Sequence, residues 1–255
     1  MLIFNHRAID SVRPLFFLFA LILAGTASLR AQKLYHADQE SKTVFQKKMR
    51  AVRKSLYYTK GGNLNIRWNA GLETYYSTTS PFGFTTFYYP ASNEKVTVDP
   101  EIFSARDELL YVFAQGGGED LGLTREGFVL KSSKRDGEYI VRTYEPSKPG
   151  SMCARAELAL NGDYLPVFCA YYDKKGRVIT KTYLSKYTSV GGFAFPTRVT
   201  EVSWLKEKAD STVRLDIYSN LQVDVQDPMH VYQIPPDAVS VDMHEGLKSL
   251  SKSVK

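Results

Sequence analysis

The fold of this chain is decided near its C-terminus, by the run Val213-Arg-Leu-Asp-Ile-Tyr-Ser-Asn-Leu-Gln-Val223 and the tail QVDVQDPMHVYQIPPDAVSVDM of residues 222–243. Apolar residues alternate with polar ones through the run, and a period of two predicts a strand with one buried and one solvated face. The predicted buried face consists of Val213, Leu215, Ile217, Leu221 and Val223. Pro235 and Pro236 have no N–H group to donate, so regular pairing must stop there.

The N-terminus has the pattern of a targeting segment. Arg7 and Arg13 precede an apolar run of 13 residues, 15–27, which has the length of a signal-peptide core and is short for a bilayer span. We therefore predict a signal peptide over residues 1–31, with cleavage after Ala31; cleavage after Ala27 and an uncleaved anchor are the alternatives. No cysteine lies near this point, so lipid attachment there is not expected. The remaining residues, 32–255, are predicted to form one exported domain.

Basic residues are concentrated between Ser41 and Lys60, where seven Lys and Arg occur without an acidic residue. The same region predicts an amphipathic helix over residues 37–57. Its apolar stripe consists of four residues at helical spacing: Phe45, Met49, Val52 and Leu56. Nucleic acid is not an expected partner of an exported protein. The basic residues form either a solvated helix face or a surface for a membrane or an acidic partner.

The rest of the chain places turn signals about every ten residues between β-type segments, which predicts an antiparallel sheet or barrel. The predicted strands cover residues 64–68, 72–78, 84–89, 96–98, 139–144, 154–160, 164–172, 177–188, 193–204 and 213–223. Residues 100–115 instead carry apolar residues at helical spacing, with Asp99 as the N-cap and Gly116 at the end. The sequence therefore predicts a helical insert within a β-rich chain.

Two cysteines, Cys153 and Cys169, flank Asn161-Gly162, a strong hairpin turn signal. A two-residue loop there would leave the cysteines one residue out of register and pointing to opposite faces. A shift of one residue would place them directly opposite each other, where a disulfide can form. The sequence leaves both outcomes open, a disulfide in an oxidising compartment and two buried free thiols.

No residue pattern nominates a catalytic or metal site. The four histidines do not pair at metal-ligand spacing, and no motif of a metalloprotease, a calcium loop or a serine hydrolase occurs. We therefore expect no cofactor, no metal and no enzymatic activity. Aromatic residues are abundant instead, with 17 Tyr and 14 Phe. A sheet lined by them and covered by an amphipathic helix buries either a lipid tail or only its own helix.

Three short motifs carry a family resemblance when they are taken with the order of the elements. One is Ile234-Pro-Pro-Asp-Ala-Val-Ser-Val-Asp242, and the others are Lys174-Lys-Gly-Arg-Val-Ile179 and Gly192-Phe-Ala-Phe-Pro-Thr197. In these motifs and in their order the chain resembles the LolA-like family of periplasmic lipoprotein carriers and lipoprotein-sorting proteins. The resemblance covers residues 37–242.

This resemblance implies a mainly β fold of the α+β class: an incomplete antiparallel β-barrel (half-barrel) with an N-terminal helix and inserted lid helices. Its concave face would hold the acyl chains of lipoproteins in the periplasm. The implied partners are acylated lipoproteins, an inner-membrane lipoprotein-releasing transporter and an outer-membrane acceptor, and the carrier would be a monomer. The alternatives are a sensor or scaffold on the same fold, another lipid-binding protein, and an exported hydrolase.

The expected lipid-binding residues are apolar side chains of the predicted strands and insert: Leu64, Ile66, Trp68, Phe84, Ile102, Leu109, Phe113, Leu158, Val213, Leu215 and Ile217. In the family, an arginine in a basic-Pro-x-x-aromatic-x-Trp stretch ties the lid. Tyr89-Pro90 lacks both the basic residue and the tryptophan, so no residue of this chain is assigned as a latch. Because an acyl chain gains about 0.8 kcal/mol per buried methylene, a carrier needs a cavity that is neither fully closed nor fully open.

Overall fold

One open sheet of fourteen strands dominates this computed structural model, which describes residues 33–148, 150–204 and 210–242. The strands are β1 (Leu34–Phe45), β2 (Lys48–Thr59), β3 (Leu64–Ala70), β4 (Glu73–Thr79), β5 (Thr85–Tyr89), β6 (Glu94–Val98), β7 (Phe128–Asp136), β8 (Tyr139–Pro146), β9 (Arg155–Leu160), β10 (Pro166–Tyr172), β11 (Val178–Val190), β12 (Phe193–Trp204), β13 (Ser211–Val223) and β14 (Val239–Ser240). The predicted signal peptide lies outside the described residues. Within the described ranges, no helix is both long and apolar enough to cross a membrane.

The sheet joins two antiparallel meanders side by side. Its strand order is β14-β6-β5-β4-β3-β2-β1-β13-β12-β11-β10-β9-β8-β7. β1 pairs with β13 from Tyr35 to Val44, so the N-terminal strands continue directly into the C-terminal ones. The prediction of a mainly β fold is confirmed, as an open sheet that ends at β14 and β7 and does not close into a barrel.

The predicted N-terminal helix over residues 37–57 is wrong, because this region forms the hairpin of β1 and β2. Gln46 and Lys47 make its turn with φ angles of 47° and 63°, the conformation that a tight hairpin between twisted strands requires. The apolar stripe of the predicted helix divides between the two faces of the strands, and Met49 is 67% exposed. Pairing of β1 with the sequence-distant β13 outweighs the local helical pattern.

A β-bulge in β13 changes which face of that strand is buried. Opposite Ala37 of β1, β13 has two residues, Asn220 and Leu221, where a regular ladder has one. Asn220 has a φ of 49°. Beyond the bulge, Leu221 and Val223 pack against the main core, as predicted.

Before the bulge, the faces of β13 are the reverse of the prediction. Asp216 and Tyr218, which were assigned to the solvated face, are buried. Val213 and Ile217, which were assigned to the buried face, are each 37% exposed. Leu215 lies on the same side as these two by strand alternation.

The insert between β6 and β7 contains far less helix than predicted. Its only α-helix is α1 (Leu109–Ala114), which is preceded by a 3-10 turn at Ala105–Asp107. The hydroxyl of Ser104, rather than the predicted Asp99, caps that turn by accepting a backbone N–H. Gly116 ends α1 as predicted, with a φ of 85° that favours glycine. A helical lid is therefore not confirmed, and the insert is mostly irregular chain around six helical residues.

Different segments cover the two faces of the sheet. Residues 99–127 form the insert. The insert covers one face of the sheet, the insert face, where α1 packs against β1, β2, β3 and β12. Residues 224–242 cross the opposite face, the tail face. There the side chains of Tyr57 and Asn65 contact the tail, since they alternate along their strands with residues of the insert face. The main core therefore lies under the insert.

The tail crosses the tail face before it reaches the edge of the sheet. Its 3-10 turn at Pro228–Val231 brings Nε2 of His230 to 3.2 Å from the carbonyl oxygen of Tyr35. Nδ2 of Asn65 donates to the carbonyl of Met229 at 2.8 Å. The two prolines follow this turn, and β14 then pairs in parallel with β6. The tail adds an edge strand instead of closing a half-barrel.

Both cysteines, Cys153 and Cys169, are free thiols. The loop between β9 and β10 covers residues 161–165 rather than two residues, because the Asn161 side chain accepts hydrogen bonds from two backbone N–H groups of that loop. In the resulting register Cys169 is opposite Leu158. Of the two outcomes that the sequence left open, the structure has the free thiols.

Candidate ligand-binding site on the insert face

An apolar surface, the apolar floor, lies at one end of the insert face. Directly opposed residues of β1, β2 and β3 form it, and β12 extends it. The floor consists of Tyr35, Ala37, Leu56, Tyr58, Leu64, Ile66, Phe193 and Phe195. Because directly opposed residues of neighbouring strands point to the same side, these side chains make one continuous surface.

α1 covers the apolar floor with aromatic and aliphatic side chains. The ring centroid of Tyr111 lies 4.8 Å from that of Tyr58, and the centroid of Phe113 lies 5.3 Å from that of Phe195, both edge to face. Leu110 is fully buried in the same cluster. A helix of six residues is too short to be stable alone, so its contacts with the floor hold it in place.

The C-terminal end of α1 approaches the sheet closely. Nε2 of Gln115 donates to the hydroxyl of Tyr58. Beyond Gly116, a Cβ atom added to Gly118 would lie 2.9 Å from the ring of Phe113, so this passage requires glycine. The glycine-rich segment after α1 therefore ends the helix and also lets the chain at Gly118 pass close to the ring of Phe113.

An ion pair ties the N-terminal end of α1 to the sheet. Nζ of Lys54, on β2, lies 2.6 Å from Oε1 of Glu108, the residue before α1, and both side chains are only 13% exposed. The same ammonium group lies 4.4 Å from the ring centroid of Trp68, a cation–π contact. Loss of either partner would leave the other charge partly buried and unpaired, so the pair holds the insert to β2.

Next to this ion pair lies a partly open pocket, the polar cavity. It has a volume of about 350 Å³ and lies between residues 102–109 of the insert and strands β1, β2 and β13. Pairing of β1 with β13 sets Gln39 opposite Tyr218 and Ser41 opposite Asp216. These four residues therefore share one face and form the base of the cavity.

The polar groups of the cavity are only partly satisfied. The guanidinium of Arg214 lies 3.1 Å from Glu201 and 3.1 Å from Oδ2 of Asp216. Oδ1 of Asp216 and Oε1 of Gln39 are buried, and neither has a hydrogen-bond partner among the described residues. Burial, followed by two nearby carboxylates, raises the pKa of Tyr218 well above its usual range, so its hydroxyl remains protonated.

Two further cavities lie beside α1. One of about 410 Å³ contains Arg106, Asp120 and Arg125. The Arg125 guanidinium donates to the carbonyl of Arg106 at 2.9 Å, and the Asp120 carboxylate accepts two backbone N–H groups of its own loop. The other, of about 220 Å³, is lined in part by Phe113 and Phe193. In the first, Asp120 and Arg125 have internal partners, whereas Nε of Arg106 is buried without a hydrogen-bond partner among the described residues. The second extends the apolar floor.

A second buried cluster lies between the insert and β8–β10. It consists of Leu123, Phe128, Tyr144, Ala156, Leu158, Leu160 and Cys169. Burial raises the pKa of the Cys169 thiol to about 12, and it also raises the pKa of Cys153. Because the thiolate is the reactive form, neither cysteine is an activated nucleophile. Among the residues that the structure describes, no group of three or more His, Cys, Asp or Glu is placed to hold a metal ion.

The predicted lipid-binding residues fall into two groups in the structure. Those brought together in the main core under the insert are Leu64, Ile66, Trp68, Leu109 and Phe113. Those placed elsewhere are Leu158 in the second cluster, Phe84 and Ile102 at exposed positions, and Val213, Leu215 and Ile217 on the tail face.

Sequence reasoning missed the polar residues of the site, which are Gln39, Lys54, Glu108, Asp216 and Tyr218. Lys54 was counted among the basic residues of a helix, and Asp216 was assigned to a solvated face. Strand alternation could have identified Gln39, because on a strand over residues 34–45 it shares a face with Tyr35 and Ala37. The helical reading of that segment concealed it.

No protein-family model and no curated protein matches this sequence. The chain is similar to a solved LolA superfamily protein from Nitrosomonas europaea, with a TM-score of 0.53 and 11% identity over 80% of this chain and 92% of that chain. It is also similar to a DUF1329 family protein from Desulfovibrio piger, with a TM-score of 0.53 and 16% identity over 86% and 95% of the two chains.

These similarities show that the chain has a LolA-like fold, so the expectation drawn from its motifs is confirmed at the level of the fold. A third solved structure, a putative outer membrane lipoprotein-sorting protein domain from Vibrio parahaemolyticus, has a TM-score of 0.47 and 13% identity over 83% and 94% of the two chains. At these identities the similarity concerns the fold alone.

Proposed function

We propose that this protein is a periplasmic carrier that binds the acyl chains of lipoproteins on its apolar floor. The observation that carries the proposal is the floor itself, an aromatic and aliphatic surface on an open sheet that is covered by the six-residue helix α1. The LolA-like fold and the family motifs support the same proposal.

In this proposal an acyl chain replaces α1 on the floor. A chain of about ten buried methylenes contributes about 8 kcal/mol. Three large side chains of α1 are fully or almost fully buried, Leu110, Tyr111 and Phe113. They contribute about 1.5–3 kcal/mol each, or about 5–9 kcal/mol together. Because the acyl chain and α1 gain similar free energies on the floor, the protein can hold an acyl chain in water and still release it.

Release and closure of the insert depend on its two ties to the sheet. One is the ion pair of Lys54 with Glu108, and the other is the hydrogen bond of Gln115 with Tyr58. Both partners on the sheet belong to β2, so a single strand anchors both ends of α1. Lys54 takes the place of the family's latch arginine in this proposal.

The setting of the proposed carrier follows from the predicted signal peptide and the family resemblance. The mature chain acts in the periplasm as a monomer, takes acylated lipoproteins from an inner-membrane lipoprotein-releasing transporter and delivers them to an outer-membrane acceptor. The role is partition of an acyl chain, without catalysis.

The test is uptake of a dansyl-labelled undecanoic acid by the mature chain, residues 32–255. Trp68 borders the floor, so binding there is expected to give energy transfer from Trp68 to the dansyl group. A triacylated lipopeptide should displace the probe, whereas the same peptide without its acyl chains should not.

Two tryptophan variants locate the bound probe. Trp68→Phe should abolish most of the energy transfer, whereas Trp204→Phe, at the end of β12, should retain it. Absence of saturable uptake by the folded protein, or equal loss of transfer in the two variants, would overturn the proposal.

A further inference from the structure

The polar cavity begins where the apolar floor ends. Along β1 the floor ends at Ala37 and the cavity begins at Gln39, and along β2 the same step leads from Leu56 to Lys54. Residues two apart on a strand are about 7 Å apart. A molecule with an apolar chain and a compact polar head would therefore meet both surfaces on the insert face.

Two buried acceptors in the cavity lack donors. Asp216 and Gln39 are each only 4% exposed, and one oxygen of each has no partner among the described residues. A buried acceptor without a partner keeps its full desolvation penalty, and the penalty is larger for a charged one. Both residues line the cavity, so a ligand that supplies donors there recovers this cost.

The charges around the cavity favour a cation over an anion. Its charged lining residues are Asp107, Glu108, Asp216, Lys54 and Arg214. The ammonium of Lys54 is engaged by Glu108, and Arg214 is shared between Asp216 and Glu201. With the insert in place the two bases are thus paired with acids, and Asp107 lies 3.8 Å from Arg125. One oxygen of Asp216 is buried without a partner among the described residues.

We propose that the polar cavity binds a primary ammonium group. An ammonium has three N–H donors and no acceptor, which suits the unpaired oxygens of Asp216 and Gln39 and the excess of carboxylates. Its source is either the head of an amphiphile whose acyl chain lies on the floor, which rests on the proposed function, or a free amine. The experiment below separates these two sources.

The experiment compares lysophosphatidylethanolamine with lysophosphatidylglycerol of the same acyl chain, each as a competitor of the dansyl probe. The two lipids share the chain and the phosphate and differ in the head alcohol, which carries an ammonium in the first and two hydroxyl groups in the second. A charge-assisted hydrogen bond is worth about 1.5–3 kcal/mol, so the ethanolamine lipid is expected to bind about 10–100-fold more tightly.

Asp216→Asn should remove this preference, measured as the ratio of the two affinities in the same variant, because it removes the charge and keeps the shape. Gln39→Met should reduce the preference less. Asp173→Asn is the matched control, since Asp173 lies in an exposed turn where it pairs with Arg177 at 2.7 Å. Thermal unfolding of each variant shows that it folds.

Equal affinity of the wild-type protein for the two lipids overturns the ammonium site, as does a preference that survives in Asp216→Asn. Acyl-chain binding stands in both cases. Failure of both lipids to bind overturns the proposed carrier function, and free ethanolamine then decides the ammonium site. A shift of the Trp68 indole resonance by ethanolamine that disappears in Asp216→Asn supports a site for free amines; no shift overturns it.

Discussion

The apolar floor and the polar cavity lie on the same strands and the same face, yet they are completed in different ways. The floor is covered by α1, and its apolar side chains are stabilised by the surface that they bury against one another. The cavity is crossed by the insert but retains about 350 Å³ and two unpaired oxygens. Contact area stabilises the fold without specifying a partner, whereas unpaired polar atoms select one. We infer that the floor supplies affinity and the cavity supplies discrimination.

The largest expected effect comes from the floor. Phe195→Ala removes a fully buried ring that contacts Phe113 and Tyr218, so we expect a loss of about 3–5 kcal/mol in the free energy of unfolding. Urea denaturation measures it. Phe82→Ala, at a position that is 82% exposed, is the control and should change stability by less than about 0.5 kcal/mol. Similar losses in the two variants would contradict the floor as the main source of stability.

The ion pair at the border of floor and cavity comes next. Lys54→Met should cost about 2–4 kcal/mol, because Glu108 is left largely buried and unpaired. Lys54→Met combined with Glu108→Leu should recover most of this loss, and Arg53→Met, whose side chain is 76% exposed, should cost little. The single variant should also bind the dansyl probe more tightly, since the insert is released more easily. Unchanged probe affinity would show that the pair does not restrain the insert.

The buried phenol at the base of the cavity predicts a pH effect. Burial and then the carboxylates of Glu108 and Asp216 raise the pKa of Tyr218 in the folded state above its ordinary value. Stability from this group is therefore complete below about pH 10 and falls above it, because only the unfolded state ionises, by up to about 1.4 kcal/mol per pH unit. Tyr218→Phe should show a shallower alkaline loss in urea unfolding, and Tyr164→Phe should not. Equal slopes in the two variants would refute this assignment.

The smallest expected effect concerns the bulge that turns Asp216 into the cavity. Asn220→Val places a β-branched residue at a φ of 49° and should cost about 1 kcal/mol. Asn220→Gly, which suits that φ, should change stability by less. Thermal unfolding compares the two. A valine variant as stable as wild type would show that the bulge does not depend on a residue that tolerates positive φ.

The strands from β3 to β6 and from β8 to β13 were predicted well because their limits are set locally, by turn residues and by period-two alternation. The hairpin of β1 and β2 was mispredicted because Val52 and Leu56 fit a helical stripe, and only pairing with β13 favours extended chain. The helix over residues 100–115 was predicted too long. Apolar residues before Leu109 pack against the core from irregular chain and a 3-10 turn, so they do not need an α-helix. Only α1 remains helical there.

The candidate site was predicted in its apolar half only. Leu64, Ile66 and Phe113 were expected on a ligand face and lie on the apolar floor or against it. Asp216 was assigned to solvent because alternation was counted through Asn220, where the bulge changes the face. Glu108 is adjacent to Lys54 only after the insert has crossed the sheet, and no local pattern encodes that contact.

The sequence by itself determined the β-rich meander, the interruption by an apolar insert, and the LolA-like ordering that ends in Pro235 and Pro236, because alternation, turn residues and proline act within a few residues. Tertiary structure alone decided which face of β13 is buried and where the tail lies. These depend on pairing between strands far apart in the chain and on one inserted residue, and a shift of one residue reverses every side chain of a strand.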